Sequence, residues 1–265
     1  DVRTAVKHED VLSAWLRFKK GLGQGSPNSP SLFTFFISDL PRILGVAKLG
    51  FKVFNIFISC LLFLDDIAIP LSSIGEVQRA LTCLHDYGTK WDVHFSVDKS
   101  KVVPFNWKGP PPPQSWKFGD DHIETVDSEK YLSVRFHSNG SWAEHFADKL
   151  RSAEGVLAHL LRAGVLGGSH PIQRSLEVAQ AKLWPIIDSG RFATYTLYPT
   201  HMGRTRLTLD TFQLKALRKI LSVSPRAPSD GVLGELGVIP DAWRAASKLL
   251  CTVARALALP KDSML

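Results

Sequence analysis

LLFLDDIAI, residues 61–69, frames the rest of this chain. An apolar run broken by two adjacent carboxylates predicts a hairpin over 51–69: apolar strand, the pair Asp65 and Asp66, apolar strand. Neighbouring side chains of a regular strand point to opposite faces, so both carboxylates serve one site only where the backbone turns. At a hairpin tip they converge on a divalent ion, and such hard oxygen ligands suit Mg²⁺. The competing explanation is a solvated acidic turn. The apolar flanks speak against it, because the pair interrupts a hairpin that otherwise seeks a core.

Upstream lies GLGQGSPNSPSLFTFFISDL, residues 21–40. Glycines at 21, 23 and 25 remove side chains where something bulky comes close, and Gln24 sets an amide among them. That suits a loop lying against a nucleotide; the alternative is an ordinary glycine-rich turn before a helix. Ser26 as N-cap and Pro27 at the first helical position predict a helix whose buried face carries Leu32, Phe33, Phe36, Ile37 and Leu40. The first twenty residues read as two short strands around a His8-Glu9-Asp10 turn. Downstream, 76–87 reads as a helix, 93–105 as strand around Asp98 to Lys101, 110–113 as a stiff proline spacer, and 116–136 as two or three short strands. Beyond Gly140 the period becomes helical, with helices expected at 145–162, 172–189, 207–223 and 242–257.

The chain has 265 residues, 45% of them hydrophobic and 22% charged, with a formal net charge of +7. That composition argues against a disordered chain. Three well-separated cysteines, Cys60, Cys83 and Cys251, suggest neither a disulfide framework nor a zinc site, and fit a reducing compartment. The most apolar run is too short to span a bilayer, so no membrane is expected as partner. Charge is uneven along the chain. Residues 1–148 hold 16 Lys/Arg and 17 Asp/Glu, residues 149–226 hold 12 and 4, and residues 227–265 hold 4 of each. The whole excess sits in one stretch, which points to a polyanionic partner, nucleic acid first.

Taken in order, QGSP-x-SP-x-LF-x-x-x-I-x-DL and LLF-x-DD resemble the palm of reverse transcriptases, particularly those of non-LTR (LINE-type) retrotransposons. SVDKSKVVPF, 96–105, resembles that family's lysine-bearing strand, and EKYLSVRF, 129–136, followed by NGSWAEHF, resembles its primer-grip hairpin leading into the thumb. LKALRKILSVSPRAPSDGVLGELGVIP is similar to the helical region downstream. The resemblance implies an α+β fold: a partial palm, an antiparallel sheet with packed helices, followed by an α-helical thumb and a helical extension. It places the palm-like region at 1–137, the basic thumb-like region at 138–226 and the extension at 227–265.

By the same resemblance, Asp65 and Asp66 are metal ligands for Mg²⁺ or Mn²⁺, and Lys99, with Lys101 as a second choice, sits near the departing pyrophosphate. Gln24, Gly25, Ser26 and Pro27 line the nascent base pair, and Tyr131 and Leu132 hold the primer end. RNA template, DNA primer and dNTP are the implied partners, in a nuclear or cytoplasmic ribonucleoprotein.

Several residues depart from the family pattern. Leu64 stands where a small residue is usual, Gly23 replaces a bulkier one, Asn28 an apolar one, and Ser133 a glycine. Only 23 residues precede Gln24, and Asp1 and Asp10 are the aspartates among them; neither lies in a motif matching the family's first catalytic aspartate. A missing bridging carboxylate costs several kcal/mol of transition-state stabilisation, and each ~1.4 kcal/mol is tenfold in rate. The isolated chain is therefore expected to be inactive as a polymerase. A palm lacking its central strand is also expected to expose apolar surface and a sheet edge that a partner chain covers. The rival readings are a non-catalytic nucleic-acid-binding or scaffold protein derived from a retroelement, a decayed reading frame, and, with weaker support, an intron-maturase-like factor. The histidines, His145 among them, show no metal-ligand spacing and read as surface or core residues.

Overall fold

The computed structural model describes residues 2–18, 21, 25–167, 170–190 and 202–258. The chain divides into two compact units, one of residues 1–104 and 108–126, the other of residues 105–107 and 127–265.

The first unit opens with two nested antiparallel pairs, Val2–Thr4 (β1) with Leu16–Phe18 (β4) and Lys7–His8 (β2) with Val11–Leu12 (β3), the inner pair closing on the predicted turn at Glu9. Helix α1 covers Ser29–Phe36 and α2 covers Leu40–Val46. The start of α1 corrects the sequence expectation. Pro30, not Pro27, occupies the first turn, Asn28 stands at the N-cap, and Ser26 lies in the preceding turn, its carbonyl accepting from the Ser29 amide. Two prolines compete for the fixed φ of a helix start, and the one nearer the apolar repeat takes it.

The region 51–69 forms two hairpins rather than one: Phe51–Val53 (β5) with Ile56–Ile58 (β6), and Leu61–Phe63 (β7) with Asp66–Ala68 (β8). Helix α3, Gly75–Trp91, extends the predicted segment at both ends and stops at Asp92, whose φ of 57° is left-handed. It serves two cores. Ala80 and Tyr87 pack with Ile37, Leu40, Leu44 and Leu49. Val77 and Leu81 pack with Trp116, Phe118 and Ile123 of a three-stranded sheet. That sheet runs in the order Ser115–Phe118 (β10), Asp121–Thr125 (β11), Lys101–Val102 (β9), the last pair parallel.

A single antiparallel sheet is not what forms. The strands lie in six small sheets among the described residues, five of them two-stranded. Strands of two to five residues bring too few ladder bonds and side chains to make a wider sheet. One consequence is apolar exposure. Phe51, Val53, Ile56, Phe57, Leu61 and Phe63 are all exposed, and Phe54 is 92% exposed.

The second unit carries the hairpin Ser128–Tyr131 (β12) with Val134–His137 (β13) and then helices. Ala143–Arg162 is α4, Ile172–Lys182 is α5 and Trp184–Asp188 is α6. Among the described residues three more follow, at Met202–Ile220, Ser229–Leu236 and Asp241–Ala258. One core joins them, with Phe146, Leu157, Leu176, Leu183, Ile187, Leu209, Leu217 and Val232 nearly solvent-free. The expected single helix at 172–189 is broken at Leu183, since Pro185 lacks an amide hydrogen and starts a new first turn.

Candidate functional site

The aspartate pair sits at the tip of a two-residue hairpin loop, Leu64-Asp65, with Phe63 facing Asp66 in register. Leu62 and Ile67 turn inward to the first core, so the alternation sends Phe63 and Asp66 outward. Asp65 is in the turn itself, and both carboxylates are exposed. Leu64, at φ 54°, takes the left-handed conformation that glycine or asparagine adopts more readily. Its exposure sets a leucine beside the acids where the resemblance expects a small residue.

The side chains of Asp65, Asp66 and Lys99 make no hydrogen bond or ion pair to another described residue. Lys99 corrects a second expectation, that of continuous strand over 93–105. It occupies an exposed turn at 97–99, closed by the Ser100 amide donating to the Val97 carbonyl and the Ser100 hydroxyl to that of Ser96. Strand begins at Lys101, whose ammonium lies 2.5 Å from Glu124 and is committed to that partner.

Gly25, Ser26 and Pro27 are exposed, and Gln24 lies outside the described residues. Gly25 has φ +85°, and a Cβ there would meet nothing within 4 Å. Backbone conformation, not crowding within the chain, is why glycine stands there.

In the second unit, Tyr131 and Leu132 form one end of the β12–β13 hairpin, Tyr131 half-buried and Leu132 exposed. Leu132 and Ser133 are both left-handed, at φ 48° and 67°, which a two-residue loop of the primed type requires. Ser133→Gly is therefore expected to stabilise this unit by about 1 kcal/mol, by relieving the Cβ clash of a left-handed serine. Urea denaturation reads the shift; no gain would show that the strain is relieved elsewhere.

The donor set bears on the metal. Among the described residues no group of three His, Cys, Asp or Glu side chains could hold an ion. Two adjacent carboxylates suit one Mg²⁺ that keeps most of its waters. They do not fit two ions held side by side, which need further bridging oxygens.

The basic helices resolve into distinct kinds of cation. Arg218 donates twice to the Ala227 carbonyl and is a structural brace. Lys215 pairs with Glu154, Arg174 with Glu177 and Arg151 with Asp148. Arg162, Lys182, Lys219 and Arg226 are exposed and paired with no described residue. No helix among the described residues is long and apolar enough to cross a membrane.

Residues 6–136 match the family model for reverse transcriptase (RNA-dependent DNA polymerase). That stretch, just under half of the chain, includes the loop at 21–40, the acidic hairpin and the β12–β13 hairpin as far as Phe136. No curated protein and no solved structure matches the chain.

Proposed function

We propose that this chain, reverse-transcriptase-like over residues 6–136, binds an RNA template with its DNA primer and does not by itself extend that primer. The supporting observation is the coincidence of the family match with an exposed Asp65-Asp66 pair at a hairpin tip. In the LINE-type reading, 1–137 is the palm-like region, 138–226 the thumb-like region and 227–265 the extension. Gly25, Ser26 and Pro27, with Gln24, then face the nascent pair, Lys99 the pyrophosphate of a dNTP, and Tyr131 and Leu132 the primer end. An intracellular ribonucleoprotein is the setting this implies. The apolar side chains left exposed at 51–64 support a partner chain over the palm edge.

In the family, the divalent ions activate the primer hydroxyl and neutralise the departing charge. The residues present at 65 and 66 fit at most one such ion, so polymerisation is not assigned to this polypeptide. A non-catalytic nucleic-acid-binding or scaffold role is favoured by the same two-carboxylate set together with the four exposed cations that pair with no described residue. Primer extension with the purified chain in Mg²⁺ or Mn²⁺ is the test. No product above background is expected, and extension abolished by Asp65→Ala would overturn the proposal.

A further inference from the structure

His145 is 1% exposed, yet both of its ring nitrogens are engaged. Nδ1 accepts the Arg135 amide hydrogen at 3.2 Å, from strand β13. Nε2 lies 3.1 Å from the Ser189 carbonyl, just past helix α6, and a carbonyl only accepts, so Nε2 carries the hydrogen. These two bonds together specify the neutral ring with its hydrogen on Nε2. Three elements thus meet on one imidazole: the hairpin, α4 and the end of α6. The packing there is close, for a Cβ on Gly190 would lie 2.6 Å from Val134 and 3.2 Å from His145 Nε2.

We propose that His145 is a positioning residue for the β12–β13 hairpin, holding it while neutral and releasing its Arg135 contact when protonated. This rests on the reading of Tyr131 and Leu132 as primer-holding residues, since they form the end of that hairpin. Protonation places a hydrogen on Nδ1, where it meets the Arg135 N–H head-on; two donors cannot bond, and the link to the hairpin is lost.

The surrounding charges are mixed. Arg135 from the hairpin and Lys149 from α4 oppose a cation, while Asp148 from α4 favours one. Asp148 is itself occupied by the Arg135 guanidinium at 2.9 Å and by Lys130 at 3.6 Å. From α6, Asp188 turns to Arg244 and Lys248, leaving the Ser189 carbonyl as that element's contact with the ring. Burial is the largest influence and pushes the His145 pKa below its ordinary value. A histidine depressed in the fold contributes stability that is complete above about pH 6.5 and is lost as pH falls toward the folded value.

The test is hydrogen exchange at the Arg135 amide, by NMR on the whole chain, together with affinity for a labelled RNA–DNA hybrid. In the unsubstituted chain, protection at Arg135 is expected to fall by roughly tenfold per pH unit below about pH 6.5. In His145→Gln the pH dependence of protection is expected to vanish, and with it the difference in hybrid affinity between pH 7 and pH 5.5. Nitrogen-15 shifts of His145 in the unsubstituted chain need no variant and are expected to show hydrogen on Nε2. Hydrogen on Nδ1, or the same pH dependence in His145→Gln, would overturn the proposal. If protection behaves as expected while hybrid affinity ignores the substitution, the joint stands and the primer-holding reading of Tyr131 and Leu132 fails.

Discussion

Arg244→Ala is expected to destabilise the helical unit by about 3–5 kcal/mol, the cost of removing an arginine that faces two buried carboxylates. Asp241 and Asp188, with side chains 1% and 6% exposed, both face the Arg244 guanidinium; Asp188 lies 3.4 Å away. Lys248 reaches the other Asp188 oxygen at 2.5 Å, so Asp188 retains one cation in the variant. Asp241 loses its arginine. The guanidinium carbon also stands 5.0 Å from the centre of the Trp184 ring, a cation–π contact that joins helix 241–258 to α6. The Nε and Nη1 atoms of Arg244 are buried and have no hydrogen-bond partner among the described residues. The network is therefore not an optimised one, and Arg244→Met combined with Asp241→Asn, which removes both charges, is expected to cost less than Arg244→Ala alone. Urea unfolding monitored by tryptophan emission compares the variants. A loss below about 1 kcal/mol for Arg244→Ala would show that water reaches the carboxylates readily.

Replacing Arg162, Lys182, Lys219 and Arg226 together by Gln is expected to flatten the salt dependence of nucleic-acid binding with little change in fold. Each phosphate contact contributes about 0.9 to the slope of log affinity against log salt on a duplex. Four contacts thus contribute a slope of roughly 3.6, or about a hundredfold in affinity between about 50 and about 200 mM salt. The internal control is Arg218→Gln. This arginine holds the Ala227 carbonyl, so its loss is expected to lower stability and leave the salt slope unchanged. Equal slopes for the quadruple variant and the unsubstituted chain would remove these four residues from the interface.

Much of this molecule is written in local pattern. Helix α3 shows its period in Val77, Ala80, Leu81 and Leu84, and the structure buries that face. The acidic hairpin tip was legible because charge interrupts an apolar run, a contrast that needs no tertiary information. Strand pairing was not legible. Lys101–Val102 joins the sheet through a parallel partner more than twenty residues away, and no local pattern announces that. Helix 229–236 was missed because Gly231 and Gly234 lower its propensity, while its packing of Val232 into the core supplies what propensity does not. The break at Leu183 did have a signal in Pro185, overridden by a strong apolar period. His145 had none. Its spacing matched no metal motif, and the role proposed for it comes from an amide ten residues earlier and a carbonyl 44 residues later.

Fluorescence anisotropy of a labelled RNA–DNA hybrid, titrated with the whole chain at several salt concentrations, tests the central claim most directly. Binding is expected at low salt and weakens linearly in log affinity against log salt, with a slope of magnitude at least about 3. No binding at about 50 mM salt, or an affinity indifferent to salt, would contradict it.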